Sequence, residues 1–210
     1  MAHLPVVLEL EGIRCLVVGA GRVAERKITS LLRAGARVEV VAPRATERIT
    51  GLARRRILKW RSGPFRASDL RGVRLVVAAT SDRAINRDIA QRAARSGAFC
   101  NIADDPDRCT LMLPAVMRRG PLRISVSTGG ECPAMARALR DDLARRYGSE
   151  YGAYLTMIGT LRRRLLETVS DRIERRRRYR RLLRAPLLRL LRDGRRSEAR
   201  SLARTAAGFR

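Results

Sequence analysis

The sequence predicts an α/β fold: a parallel sheet with helices on both faces, then a small strand–helix region and a helical, arginine-rich C-terminal segment. Three observations carry this. Short apolar runs alternate with helical patterns from about residue 13 to 103, as expected of a sheet covered on both sides. The first apolar run ends in Gly19-Ala20-Gly21. Beyond Pro106 the alternation stops, and arginine comes to dominate.

Taken in order, Ile13–Val18 reads as a buried strand and Val23–Ala34 as a helix whose apolar face is Val23, Ile28, Leu31 and Leu32. Gly35 stops that helix, and Val38, Val40 and Val41 form a second strand ending at Pro43. Ile57–Trp60 is a third strand and Val73–Ala79 a fourth. Asp82 caps a helix over 83–95, with Gly97 just past its end, and Ala98–Ala103 is a fifth strand. Leu111–Met117 and Leu122–Ser127 are strand candidates joined by the turn Arg118-Arg119-Gly120-Pro121. Pro133 opens a helix to about Tyr147. A helical pattern then runs from Tyr151 to Leu183, with Leu155, Ile158, Leu161, Leu165, Val169 and Ile173 as its stripe. Breaks follow at Pro186 and Gly194, and the last dozen residues read as frayed. The expected division is 1–110, 111–147 and 148–210.

With 210 residues, 45% of them hydrophobic, the chain can bury a sizeable core. Charges interrupt every apolar stretch, so no membrane span is expected, and no basic leader precedes a long apolar run. Cys15, Cys100, Cys109 and Cys132 lack paired metal-ligand spacing; they read as buried free thiols of a reducing, cytoplasmic setting. No metal site is expected. The net charge is +26, and residues 151–210 hold 18 arginines against 5 acids. Such a field attracts polyanions: nucleic acid, an acidic membrane face or a substrate with many carboxylates. There is no helix-turn-helix pattern, and only 3 Phe, 4 Tyr and 1 Trp are available for stacking. A nucleotide-sensing protein with a basic nucleic-acid-binding arm is therefore a remote alternative, and binding of a specific nucleic acid is not expected.

Gly19-Ala20-Gly21-Arg22-Val23-Ala24 follows a strand and opens a helix, giving the G-x-G-x-x-A form of a Rossmann-like dinucleotide fingerprint. Gly19 permits the tight turn, Gly21 lets the backbone approach a pyrophosphate, and Ala24 lets the helix pack closely on the sheet. The end of the second strand, Val40-Val41-Ala42-Pro43, lacks the usual ribose-binding acid; Glu39 lies two to three residues early, and Arg44 hints at a 2′-phosphate. Thr80, Ser81 and Asp82 end strand four, and Asn101, Asp104 and Asp105 follow strand five, at the edge where ligands of such sheets lie. Asp105-Pro106-Asp107 also reads as a simple turn.

The chain resembles the precorrin-2 dehydrogenases of siroheme synthesis, a family that includes the amino-terminal part of siroheme synthase and bifunctional dehydrogenase–ferrochelatases. The resemblance rests on Val17–Lys27, Val40–Pro43, Ala78–Asp82 with Asn86, Asn101–Pro106, Leu113-Pro114-Ala115, and Ile124–Gly130 with Pro133, Ala136, Arg137 and Leu139. It spans about residues 4–147 in order. It implies NAD-dependent oxidation of precorrin-2 to sirohydrochlorin, NAD rather than NADP as cofactor, and a homodimer whose region after the nucleotide domain contributes to dimerisation and the substrate cleft. It sets Asp104 at the family's functional aspartate, and it sets Ser127, Thr128 and Gly129 at the tetrapyrrole site, with Thr128 where the family has serine. Some members also insert Fe²⁺, so a bifunctional dehydrogenase–ferrochelatase is the alternative, with Fe²⁺ as a further substrate. Hydride transfer needs orientation and electrostatics, and proton loss needs a base within reach. A substrate with eight carboxylates suits arginine clamps, for which Arg118, Arg119 and Arg137 are the candidates.

Overall fold

The structure is a computed structural model that describes residues 3–103 and 105–209. The chain forms two compact units, Met1–Leu113 and Pro114–Arg210.

In the first unit, five parallel strands, β1 (Arg14–Val18), β2 (Arg37–Val41), β3 (Lys59–Arg61), β4 (Leu75–Ala78) and β5 (Phe99–Ile102), stand in the order β3-β2-β1-β4-β5. This is the Rossmann-like sheet expected. Its alternating side chains build two cores. Cys15, Val17, Val38, Val40, Leu75 and Val77 pack beneath helices α1 (Arg22–Leu32) and α2 (Glu47–Arg54). Leu16, Val18, Val41, Val76, Ala78 and Cys100 pack beneath α3 (Arg83–Ser96) on the other face. The central strands β1 and β4 are thus apolar on both sides, which is why they read as continuous Val/Leu runs.

Local chemistry ends the helices where the sequence indicates. Asp82 accepts hydrogen bonds from the N–H groups of Ala84 and Ile85, and Gly97 closes α3 in the left-handed conformation. A cap of this kind contributes about 1 kcal/mol. Other expectations need correction. The buried stripe of α1 is Ala24, Ile28 and Leu31, and Val23 is 45% exposed. The third strand begins at Lys59 rather than Ile57, because Arg56 takes a positive φ of 56° and turns the chain just before it. Helix α2, with Ile49 its one buried side chain, is a finding of the structure.

In the second unit, β6 (Ala115–Arg119) and β7 (Leu122–Val126) form an antiparallel hairpin. The turn is only Gly120-Pro121, since Arg119 still pairs with Leu122. Leu111, expected to begin this strand, packs instead on the first unit's sheet core. Helices α4 (Pro133–Arg146), α5 (Ser149–Thr168), α6 (Arg172–Arg184), α7 (Leu187–Arg192) and α8 (Arg196–Ala206) follow. Their core is Ile158, Leu161, Leu165, Leu182, Leu187, Ala203 and Ala207. The long helical pattern is two helices: Asp171 caps α6 through the Ile173 N–H, which restarts the periodicity and leaves Ile173 81% exposed. The C-terminal segment is not frayed. It is α8, seated by the fully buried Ala199, Ala203 and Ala207.

The cysteines divide by depth. Cys15 and Cys100 are buried, Cys109 is half-buried and Cys132 is exposed, so the expectation of four buried thiols holds for two. Burial pushes the Cys15 thiol up to about 11 and the Cys100 thiol up to about 12, from an ordinary 9.0. The unfolded chain releases these protons first as pH rises, so their contribution to stability is intact below about pH 9 and is lost as pH climbs toward the native values. Alkylation at about pH 8 followed by peptide mass spectrometry is expected to modify Cys132 first, Cys109 more slowly, and Cys15 and Cys100 only when denaturant opens the sheet.

Candidate functional site

The carboxyl edge of the parallel sheet is tied together by backbone hydrogen bonds between strand ends. Gly19 N–H donates to Val41 O at 2.9 Å, Ala79 N–H to Val18 O at 2.8 Å and Ala103 N–H to Ala78 O at 2.8 Å. Gly19 has φ +100°, and a Cβ there would lie 2.3 Å from the Ala79 carbonyl oxygen. Both facts require glycine. Ala20 is buried, and its carbonyl accepts from Thr46 N–H.

Gly21 is different. Its backbone is extended, it is the N-cap of α1, and among the described residues no side chain caps the helix there. A Cβ at Gly21 would meet nothing within 4 Å. The first N–H groups of α1 therefore end at open space, with Arg22 and Val23 exposed beside them. An uncapped helix start of this kind offers donors and positive potential to a phosphate. Glu25, in the first turn, is held by the Thr46 hydroxyl.

The loop after β4 is fastened from within. The Thr80 hydroxyl donates to Asn86 Oδ1 at 2.8 Å, and Asn86 Nδ2 returns a hydrogen bond to Thr80 O at 3.1 Å. Asn86 is buried, and its side chain holds Thr80 at the sheet edge. At the end of β2, Ala42 is buried and its carbonyl accepts from Trp60 Nε1 at 3.1 Å, while the Ser62 hydroxyl donates to Pro43 O at 3.1 Å. Arg44 is exposed. Glu39 faces away from this edge and pairs with Arg14 Nη2 at 2.7 Å. That hydrogen bond holds its carboxyl below the usual range against the opposing pull of burial.

Asn101 is buried on β5. Its Nδ2 donates to Leu111 O at 2.9 Å, which folds residues 109–111 back along the strand. Its Oδ1 is buried without a hydrogen-bond partner among the described residues. Such an orphan is uncommon, and it marks a position where a donor from a ligand or water would be stabilised. Asp104 lies outside the described residues. Asp105 is committed locally, its carboxylate 2.8 Å from Arg108 Nη1.

The second unit holds Arg118, Arg119, Ser127, Thr128, Gly129 and Arg137. Ser127 Oγ accepts from Gly129 N–H at 3.2 Å and Thr128 Oγ1 from Cys132 N–H at 3.1 Å, so both hydroxyls shape the turn that leads into α4. Gly129 has φ +65°. Arg119 is spent on structure: its guanidinium donates to Tyr147 O, Ala144 O and Arg118 O at 2.9–3.1 Å, satisfying carbonyls at the end of α4. Three of its five N–H donors are used in this way. Arg118 sits on β6, and Arg137 is exposed on α4. No group of three or more His, Cys, Asp or Glu side chains arranged to hold a metal occurs among the described residues. No helix of the described residues is long and apolar enough to cross a membrane.

Comparison with known proteins follows the same division. Residues 6–115 match the family described as putative NAD(P)-binding, and residues 119–146 match the one described as sirohaem biosynthesis protein, central. The siroheme synthase of Methylococcus capsulatus is 39% identical over 207 residues, covering 99% of this chain and 44% of that protein. Siroheme synthase 3 of Aeromonas hydrophila is 39% identical over 188 residues, covering 90% of this chain and 40% of that protein. The chain thus spans less than half the length of these curated relatives. A solved structure titled SirC, precorrin-2 dehydrogenase, superposes with a TM-score of 0.82 at 24% identity, covering 99% of this chain and 100% of that one, which shows a shared fold. With an NAD(P)-binding unit followed by the sirohaem biosynthesis segment, the chain belongs to the siroheme synthase and precorrin-2 dehydrogenase family.

Proposed function

We propose that the chain is an NAD⁺-dependent precorrin-2 dehydrogenase that converts precorrin-2 to sirohydrochlorin in siroheme biosynthesis. The observation that carries this reading is the uncapped start of α1 at Gly21, open to solvent in a chain of this family. The residues present fit the cofactor: free helix N–H groups for a pyrophosphate, no Cβ to block its approach, and a buried Asn101 Oδ1 that lacks a donor among the described residues. When bound, NAD⁺ supplies the hydride acceptor. Arg22, Val23, Ala42, Pro43, Thr80 and Ser81 would border it, and the Thr80–Asn86 pair keeps the β4 loop from collapsing into its place.

The oxidation removes one hydride and one proton from the substrate. Asp104 is the base assigned to the proton, on the strength of the family resemblance. Its neighbour Asp105 is occupied by Arg108, which supports separate roles for the two acids. Arg118, Arg119 and Arg137 are the candidate clamps for substrate carboxylates, with Ser127, Thr128 and Gly129 beside the tetrapyrrole. Self-association fits the surface of α4, which exposes Met135 and Leu139 one helical turn apart.

Titration with NAD⁺ is expected to separate the two glycines. Gly21→Asp should leave the thermal transition near that of the unaltered chain and abolish binding, since its side chain enters open space where phosphate would lie. Gly19→Ala should instead lose on the order of 3 kcal/mol of stability, by clash with the Ala79 carbonyl. Equal NAD⁺ affinity in Gly21→Asp would remove the pyrophosphate from this turn.

An anaerobic assay with precorrin-2 and NAD⁺ tests the chemical role. Asp104→Asn is expected to keep NAD⁺ binding and slow sirohydrochlorin formation by about 10²–10⁴-fold, while Asp105→Asn costs far less. Full activity in Asp104→Asn would take that residue out of proton transfer, and no turnover by the unaltered chain would overturn the dehydrogenase reading. Adding Fe²⁺ to sirohydrochlorin with the same proteins reads out chelation separately.

Sedimentation across micromolar concentrations is expected to show a homodimer that Met135→Asp with Leu139→Asp dissociates. A 23.5 kDa species at every concentration would refute the dimer.

A further inference from the structure

The C-terminal unit contains a cavity of about 550 Å³ that none of the residues considered above explains. Its floor is Ala153, Met157 and Leu161 of α5 with Leu191 of α7, and Ser149, Thr156 and Thr160 also line it. Its wall is Arg196, Arg200 and Arg204 of α8. The placement follows from the way α8 docks. Burying Ala199 and Ala203 turns the adjacent positions, each one residue further along, to the flank of the helix. Three guanidinium groups thus line one edge, with anchor points about 6 Å apart.

Some neighbouring arginines are paired with acids and, among the described residues, these three are not; what sets them apart from other unpaired arginines is that they line the cavity. Arg192 pairs with Glu150, Arg195 with Glu198 and Arg178 with Glu174. Arg196, Arg200 and Arg204 have no side-chain hydrogen bond or ion pair among the described residues, and the cavity lining includes no Asp or Glu. All three are exposed, so water rather than any acid of the protein balances their charge. An anion seated among them would gain charge-assisted, forked hydrogen bonds. The floor selects further. A bare phosphate chain would leave it wet, and a fatty acid would satisfy one arginine of three. A ligand with an apolar ring body and several carboxylates at its edge satisfies both.

We propose that this cavity is a binding site for an amphipathic ring polycarboxylate, held by Arg196, Arg200 and Arg204 over the Ala153–Met157–Leu161 floor. The site is built wholly within the second unit and needs neither NAD⁺ nor turnover. The size lies within the range of small-molecule pockets.

Uroporphyrin, a stable ring octacarboxylate, is the probe, with binding to the full-length chain followed by fluorescence. Arg196→Ala, Arg200→Ala and Arg204→Ala combined are expected to weaken its binding about tenfold or more. The matched control is Arg172→Ala, Arg176→Ala and Arg180→Ala on α6, which removes the same charge at the same spacing. It should change affinity little. Ala153→Trp, which fills the floor without altering charge, should also weaken binding. Competition identifies the source: displacement by sirohydrochlorin assigns the site to the chain's own tetrapyrrole, and displacement by benzenehexacarboxylate without sirohydrochlorin assigns it to another ring polycarboxylate. Equal loss in the two triple variants would reduce the effect to net charge and overturn the proposal. So would unchanged binding in the α8 variant, or displacement by millimolar inorganic phosphate alone. Because binding is read without NAD⁺ or precorrin-2, a failed dehydrogenase assay leaves this result independent.

Discussion

The backbone of Gly19 passes so close to the end of β4 that a methyl group there would sit 2.3 Å from the Ala79 carbonyl oxygen, and the sheet edge is organised around that crossing. The obstacle is backbone, so no side chain can swing aside to relieve it. With the turn pressed against β4, the Gly19 N–H reaches the end of β2, and α1 begins with its uncapped N–H groups at the carboxyl edge. Strand order adds the second condition. Because β1 lies between β2 and β4, consecutive connections leave in opposite directions and a crevice opens where they part. A phosphate-accepting helix start is therefore a consequence of close packing rather than a feature added to it.

The second unit uses the same device for a different purpose. Gly120, at φ +55°, meets Gly152 of α5, where an added Cβ would lie 2.9 Å from the Arg119 carbonyl carbon. Small residues also seat α8, whose alanines at four-residue spacing let it lie close to its neighbours. Close approach through glycine and alanine allows a short, arginine-rich helix to be stable. Few large apolar side chains are required, and the long cationic ones are pushed to the flanks. Arg119 shows the converse use of a cation, consumed in satisfying carbonyls at the end of α4.

This allocation gives the charge of +26 its meaning. Arginines paired with acids, such as Arg14 with Glu39 and Arg61 with Asp69, bind parts of the fold together. Arginines bonded to carbonyls finish helices. Only those left without partners beside a concave surface are available to an anionic ligand, and in the described part of the second unit three of them share one helix flank. Net charge attracts polyanions to the whole surface; pairing decides where one would stay.

Much of the fold was legible in the residues themselves. The Val-rich runs of β1, β2 and β4, the glycine turn, Asp82 with Gly97, and the breaks at Pro186 and Gly194 all act through their own backbone or nearest neighbours. Elements that depend on distant partners were not. Leu111 left its expected strand for the sheet core, and α8 looked frayed because alanines carry little hydrophobic signal; Ile173 was misplaced for a local reason, the unrecognised cap at Asp171. The candidate site divides in the same way. The sequence by itself indicated a dinucleotide turn, because the order strand, Gly19-Ala20-Gly21, helix is local, although the Ala79 carbonyl that bars a side chain at Gly19 is not; and it indicated the family through ordered motifs. Tertiary structure alone decided that Arg119 bonds the carbonyls of Ala144 and Tyr147 and that, among the described residues, Asn101 Oδ1 lacks a partner and three unpaired arginines line one cavity. Whether a polar group is free is set by what folds against it from elsewhere in the chain, and no local pattern records that.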